Sequence, residues 1–140
     1  MSSVLGGLPS FTQNHVEKLT TTKTLYLEDS GKVFVLDSAG GAYTIKLDSS
    51  TVQAGWGCRF IVHENTPTGA ITIAAKSAIV YGNLEQQSDT NEDNRVACAG
   101  VTNVIIGTSA LKGDYLDYIC DGTYYYVSGM SSIQTAVSTS

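Results

Sequence analysis

Residues 114–129 read DYLDYICDGTYYYVSG. Two β-rich runs flank Asp121-Gly122, a dipeptide favoured in type I′ hairpin turns because both central residues there need positive φ. Side chains alternate across a strand, so Tyr124 and Tyr126 share one face and Tyr125 takes the other. The same alternation separates Asp114 from Asp117, which lie an odd number of residues apart. An antiparallel hairpin is the expectation here, and the chain upstream carries the same kind of signal.

Residues 32–37 (KVFVLD) form an apolar run of strand length. Tyr43, Ile45 and Leu47 alternate with Thr44, Lys46 and Asp48, the period of a half-buried strand. SAGG lies between the two runs, where Gly40 and Gly41 take positive φ cheaply, so a second hairpin is predicted. Further strands are expected at residues 58–63 (CRFIVH), 70–75, 78–81, 96–99 and 101–107. Residues 83–95 (NLEQQSDTNEDNR) are almost wholly polar and read as a solvated loop. About eight short strands with turn signals between them predict an all-β fold, an antiparallel β-sandwich or jelly-roll-like barrel. No long helix separates the strands, which argues against parallel βαβ units.

The ends read differently. Residues 1–24 look like an extended N-terminal arm, because Gly6, Gly7 and Pro9 interrupt any period, with a short helical turn expected from Asn14 to Leu19. Residues 25–129 make the β-domain. Residues 130–140 are small and polar, a C-terminal tail that is disordered or ordered only by a neighbour.

The chain has 140 residues and 14.8 kDa, the size of one domain. Its net charge of -5 argues against a general nucleic-acid binder, which needs a dense basic patch. Charged residues make up 15%, below the roughly 25% of average globular proteins. The 15 Ser and 16 Thr carry the surface instead. No apolar run approaches the ~18 residues of a membrane span, and the N-terminus lacks a basic segment followed by an apolar one. Cys58, Cys98 and Cys120 are odd in number and widely spaced, so they read as buried free thiols, compatible with a reducing cytoplasm.

Catalytic and metal motifs find little support. Cys58 and His63 are five apart, so a regular strand points them to opposite faces and a nucleophile–base pair is not expected. Asp89, Asn91 and Asp93 match the first ligand positions of a calcium loop, but Asn94 replaces the turn glycine and Gly100 the bidentate Glu. Asp114 and Asp117 diverge, unlike the convergent carboxylates of a glycosidase. Gly55-Trp56-Gly57 is not followed by a helix that would bind phosphate. No cofactor is implied. Trp56, Tyr115, Tyr118, Tyr124 and Tyr126 are candidates for the core or a subunit interface, where aromatics are enriched, with carbohydrate contact as the lesser reading.

Three segments together, LEDSGKVFVLDSAGGAYTIKLD, AGWGCRFIVH and LKGDYLDYICDGTYYYVSG, resemble a recurring small β-domain of tailed-phage structural proteins, found in capsid decoration proteins and in head or tail fibres. The matching positions are Asp29, Ser30, Gly31, Phe34, Leu47, Ala54, Gly55, Phe60, Gly113, Asp114, Asp121, Gly122, Tyr125 and Gly129. Two departures are Tyr125, near where a tryptophan often follows the Asp-Gly turn, and Asp48, where a proline often follows the leucine. The resemblance implies a non-enzymatic virion protein, assembled in the host cytoplasm, that binds the major capsid protein as a homotrimer. The N-terminal arm supplies the candidate capsid contacts Leu5, Leu8, Phe11, His15 and Val16, and deleting residues 2–20 is expected to spare folding. A fibre module touching host carbohydrate is the alternative. Neither nucleic acid nor membrane is an expected partner.

Overall fold

The computed structural model describes residues 15–87, 95–133 and 135–140. The strands are β1 (Val16–Leu19), β2 (Lys23–Leu25), β3 (Val33–Leu36), β4 (Tyr43–Leu47), β5 (Gly57–Val62), β6 (Ile71–Ala74), β7 (Val80–Gln86), β8 (Val96–Val101), β9 (Asn103–Ile106), β10 (Tyr115–Cys120), β11 (Tyr125–Ser131) and β12 (Val137–Thr139). They form a seven-stranded sheet in the order β1-β3-β5-β10-β11-β7-β8 and a five-stranded sheet in the order β12-β9-β6-β4-β2. The two sheets pack as a β-sandwich around one core.

That core follows from alternation. Phe34 and Leu36 of β3, Phe60 and Val62 of β5, Leu116 and Tyr118 of β10, and Tyr125 and Val127 of β11 point inward. Ile45, Leu47, Ile71, Ile73, Val104 and Ile106 meet them from the other sheet. Each such side chain contributes about 1.5–3 kcal/mol on burial. The Phe34 and Phe60 rings stack with centroids 5.7 Å apart, and Tyr118 meets Phe60 edge-on at 5.6 Å. Trp56 packs edge-on to Tyr125 at 6.4 Å and donates Nε1–H to the Tyr26 carbonyl at 3.1 Å.

The sheets are mixed rather than antiparallel. The β1–β3, β3–β5, β7–β11, β2–β4 and β4–β6 ladders are parallel. The cause is the route of the chain. From β1 to β6 each successive strand lies in the opposite sheet, so the chain reverses twice before returning to the same sheet, in parallel. No helical crossover is needed. The predicted hairpin over residues 32–47 is therefore corrected: β3 and β4 belong to different sheets. Their link is fixed by buried Ser38, whose N–H and Oγ–H donate to Glu64 Oε1 at 2.7 and 3.0 Å. Ser38 Oγ also accepts the Gly69 N–H at 3.2 Å.

The ends of the chain need correction too. The expected arm already contributes β1 and the start of β2, and a strand replaces the expected helical turn over residues 16–19. The Val33 N–H donates to His15 O at 2.8 Å, and the Asp37 N–H to Leu19 O at 2.9 Å. Glu17 adds ion pairs to Lys23 and Lys32. The expected tail supplies the last two residues of β11 and all of β12, which pairs antiparallel with β9 and buries Ala136 and Val137. The expected loop at residues 83–95 is strand as far as Gln86, because Leu84 is buried and the stretch pairs with β11.

The β10–β11 hairpin forms as expected, with Cys120 opposite Tyr125. Its turn is shifted by one residue. The Asp121 N–H donates to Tyr124 O at 3.1 Å, so Gly122-Thr123 is central, and Gly122 alone of the pair has positive φ, 101°. The Asp121 carboxylate closes the turn by accepting the Thr123 and Tyr124 N–H groups, both at 2.8 Å.

Candidate functional site

The outer faces of the two sheets differ in chemistry. On the five-stranded sheet the outward rows are Thr24, Lys46, Ala74 and Asn103, and Thr44, Thr72, Ile105 and Ser138. A threonine-rich face suits water and strand propensity together.

On the seven-stranded sheet the register aligns three different rows. The first runs Lys18, Val35, Ile61, Tyr115, Met130, Glu85. The second runs Val16, Val33, Arg59, Asp117, Ser128, Asn83. The third places Gly57, Ile119, Tyr126 and Tyr81 side by side. Val16, Ile119 and Met130 are 60%, 57% and 55% exposed. Of these strands β3 is apolar on both faces, and β5 and β10 carry Ile61, Tyr115 and Ile119 outward beside Arg59 and Asp117, which one-sided burial does not require.

One charged pair sits within this face. Arg59 donates Nε–H and Nη2–H to the two Asp117 carboxylate oxygens at 2.6 and 2.8 Å, a bidentate fork. Its guanidinium also lies over the Tyr115 ring, 4.7 Å from the centroid. A shallow depression of about 440 Å³ opens beside it, lined by Val16, Lys32, Val33, Arg59 and Ile61 among others. At the hairpin end, Tyr81 and Tyr124 meet edge-to-face at 5.3 Å. Tyr126 donates its hydroxyl to Asp121 at 2.8 Å. N–H donation from Tyr124 and Thr123, then the Tyr126 hydroxyl, holds the Asp121 carboxyl below the ordinary aspartate range.

The candidate residues from the sequence divide among these places. Leu5, Leu8 and Phe11 lie outside the described residues. His15 is exposed just before β1, and Val16 is the first outward residue of β1. Trp56 and Tyr118 are core residues. Tyr115, Tyr124 and Tyr126 are on the outside, Tyr115 only partly exposed. Sequence reasoning passed over Ile61, Tyr81, Ile119 and Met130, which complete the outward rows. The signal was present: CRFIVH and DYLDYIC are apolar at both odd and even positions.

The remaining chemical candidates do not converge. Cys58 faces the core with Phe60 and Val62, and burial pushes its thiol pKa up. His63 lies past the end of β5, its N–H on the Leu36 carbonyl at 2.9 Å. All three cysteines are free and buried. Asp114 points inward and Asp117 outward to Arg59. The calcium-loop candidates Asp89, Asn91, Asp93 and Asn94 lie outside the described residues. Among the described residues no group of three or more His, Cys, Asp or Glu is placed to hold a metal ion, and no helix is long and apolar enough to cross a membrane.

Several residues that carry the phage-domain resemblance have structural duties. Asp29 accepts the Tyr26 N–H at 2.9 Å and pairs with Lys32 at 2.8 Å. Ser30 Oγ accepts the Gly57 N–H at 3.2 Å. Gly31, at φ 86°, donates to the Gly57 carbonyl at 2.7 Å. In comparisons with known proteins, no family model and no curated protein matches the chain.

Proposed function

We propose that this is a virion structural protein, a capsid decoration (cement) protein that binds and stabilises an assembled phage head shell as a trimer. The observation that carries the reading is the contrast between the two outer faces. One carries threonines, Lys46, Asn103 and Ser138, while on the other apolar residues such as Val35, Ile61, Tyr115, Met130, Ile119 and Tyr126 flank a middle row in which Arg59 and Asp117 are paired with each other. A surface of that kind suits assembly. The ordered resemblance of residues 24–130 to phage structural β-domains gives the assembly its identity. A cement protein binds the assembled shell and not free subunits, so it stabilises the shell by mass action. Leu5, Leu8 and Phe11 are the proposed shell contacts, with His15 and Val16 where that segment joins β1. A chain segment outside the sandwich gives such a contact by adding a strand to a neighbour's sheet edge.

The test is a truncation that stops short of β1. Removing residues 2–20, as the sequence alone suggested, deletes β1 and its ladder to β3. Removing residues 2–14 leaves every described strand intact. The truncated protein is expected to fold and to lose occupancy on purified shells. Unchanged occupancy would overturn the shell-contact assignment.

The exposed Tyr81–Tyr124 pair beside Asp121 favours a second reading, a head- or tail-fibre module with a sugar stacked on those rings. Glycan-array binding abolished by Tyr124→Ala would support it, and an array at background would remove it.

A further inference from the structure

We infer that Asp121 is a self-modification site of this chain, held closed by its own hairpin turn. Its carboxyl cyclises onto the Gly122 nitrogen and becomes β-linked aspartate only when the hydrogen bonds that fix it are released. This chemistry is independent of shell binding.

Asp121-Gly122 is the one place in the 140 residues where Asp or Asn precedes glycine. An aspartyl carboxyl reaches the nitrogen of the next residue through a five-membered ring, and glycine leaves that nitrogen unshielded because it has no Cβ. The Gly122 nitrogen attacks Asp121 Cγ, so an N–Cγ bond forms and a Cγ–O bond breaks. The carboxyl hydroxyl leaves as water with the amide proton. Water then opens the cyclic imide. Cleavage at Cγ restores aspartate, and cleavage at the former backbone carbonyl leaves the chain running through Cβ and Cγ. The mass is unchanged, and no oxidant or second substrate is consumed.

The folded turn keeps the two reacting groups apart. Asp121 Oδ1 accepts the Thr123 and Tyr124 N–H groups, both at 2.8 Å, and Oδ2 accepts the Tyr126 hydroxyl at 2.8 Å. The carboxyl is thus drawn forward along the chain. The Gly122 N–H points back, donated to Cys120 Sγ at 3.4 Å. To cyclise, the carboxyl must give up all three donors. The same donors favour the ionised carboxylate, which has no hydroxyl to lose.

Water is no barrier, because Asp121 and Gly122 are both exposed. Opening a hairpin tip is a local event that costs less than global unfolding. The product does not return to the native turn. A β-linkage adds a main-chain carbon to a turn closed by the Asp121 N–H on the Tyr124 carbonyl at 3.1 Å. It also leaves the carboxylate one bond shorter, out of reach of its donors. Modification is therefore a one-way loosening of the β10–β11 hairpin.

The test ages the full chain at neutral pH and body temperature, folded and in guanidinium chloride. Peptide mapping, with fragmentation that cuts the Cα–Cβ bond of a β-linked residue, measures conversion at Asp121. The denatured chain is expected to convert, and the folded protein at least about tenfold more slowly. Tyr126→Phe deletes one donor at an exposed position, so the core is untouched. Losing a hydrogen bond to a charged group should speed conversion of that folded variant about tenfold or more. Tyr81→Phe is the control, because the Tyr81 hydroxyl lies against Gly100 instead, and it should convert at the wild-type rate. Circular dichroism before ageing checks that each variant is folded. No conversion in the denatured chain, or equal rates folded and denatured, would overturn the inference. So would a Tyr126→Phe rate no higher than that of wild type or of Tyr81→Phe.

Discussion

Asp114→Ala is expected to destabilise the domain by about 3–4 kcal/mol. The carboxylate is 6% exposed and accepts three hydrogen bonds, from the Leu111 N–H at 3.0 Å, the Ser132 N–H at 3.0 Å and the Ser131 hydroxyl at 3.1 Å. It clamps the entry to β10 onto the end of β11. Hydrogen bonds to a charged group contribute about 1.5–3 kcal/mol each. The three do not count equally. The Ser131 hydroxyl has a second acceptor, the Ile133 carbonyl at 3.1 Å, and turns to it when the carboxylate is gone. The two N–H groups have no such exchange, so the loss is about two charged hydrogen bonds. Asp114→Asn keeps one acceptor oxygen and should lose about half as much. For a domain of this size, 3–4 kcal/mol lowers Tm by about 10–15 °C. The assay is urea unfolding at one protein concentration, followed by fluorescence of Trp56, the sole tryptophan. The slope with denaturant should not change, because the folded surface is the same. A loss below about 1 kcal/mol for Asp114→Ala, the net contribution of one ordinary hydrogen bond, would refute the clamp.

The Asp29–Lys32 pair should give the fold an acid limit. Burial alone would raise the Asp29 pKa, but hydrogen bonds from Lys32 and the Tyr26 N–H outweigh it and hold the carboxyl below 3.8. A depressed folded pKa contributes stability that is present above the unfolded value and lost as pH falls through the folded one. Chemical denaturation across pH should show that loss below about 4, and Lys32→Met should flatten or reverse the slope. Gly129→Ala should cost about 2 kcal/mol or more by thermal melting. A Cβ there would sit 2.2 Å from the Tyr115 carbonyl oxygen. Gly40→Ala, with nothing within 4 Å, should be near neutral. Tyr118→Phe should be neutral or stabilising by about 1 kcal/mol in the same melts, since that buried hydroxyl has no hydrogen-bond partner among the described residues; a clear loss would mean that the hydroxyl is satisfied.

The sequence reading located elements far better than their pairing. Period-two alternation placed β3, β4, β5, β6 and the β10–β11 hairpin within a residue or two. Whether a glycine-rich link folds back or crosses the sandwich depends on contacts distant in sequence. Ser38 and Glu64, 26 residues apart, take SAGG across. Short β1 and β12 were missed because four and three residues carry too little pattern, and each is held by partners elsewhere in the chain. For the candidate surface, alternation separates the two faces of a strand but does not say which is inside. On β10 the set Leu116, Tyr118, Cys120 and the set Tyr115, Asp117, Ile119 are both largely apolar. Only the second sheet, covering the first set, decides that Tyr118 is core and Ile119 is surface. On β3 both alternating sets are apolar, so periodicity alone does not say which of them faces the core.

The measurement that bears most directly on the proposed function is the copy number of this chain in purified virions, by quantitative mass spectrometry against the major capsid protein. The cement reading predicts a ratio to the capsid subunit that is a simple fraction, as occupancy of shell symmetry positions requires. A ratio typical of tail components would move the protein to the fibre reading, and absence from the virion would contradict both.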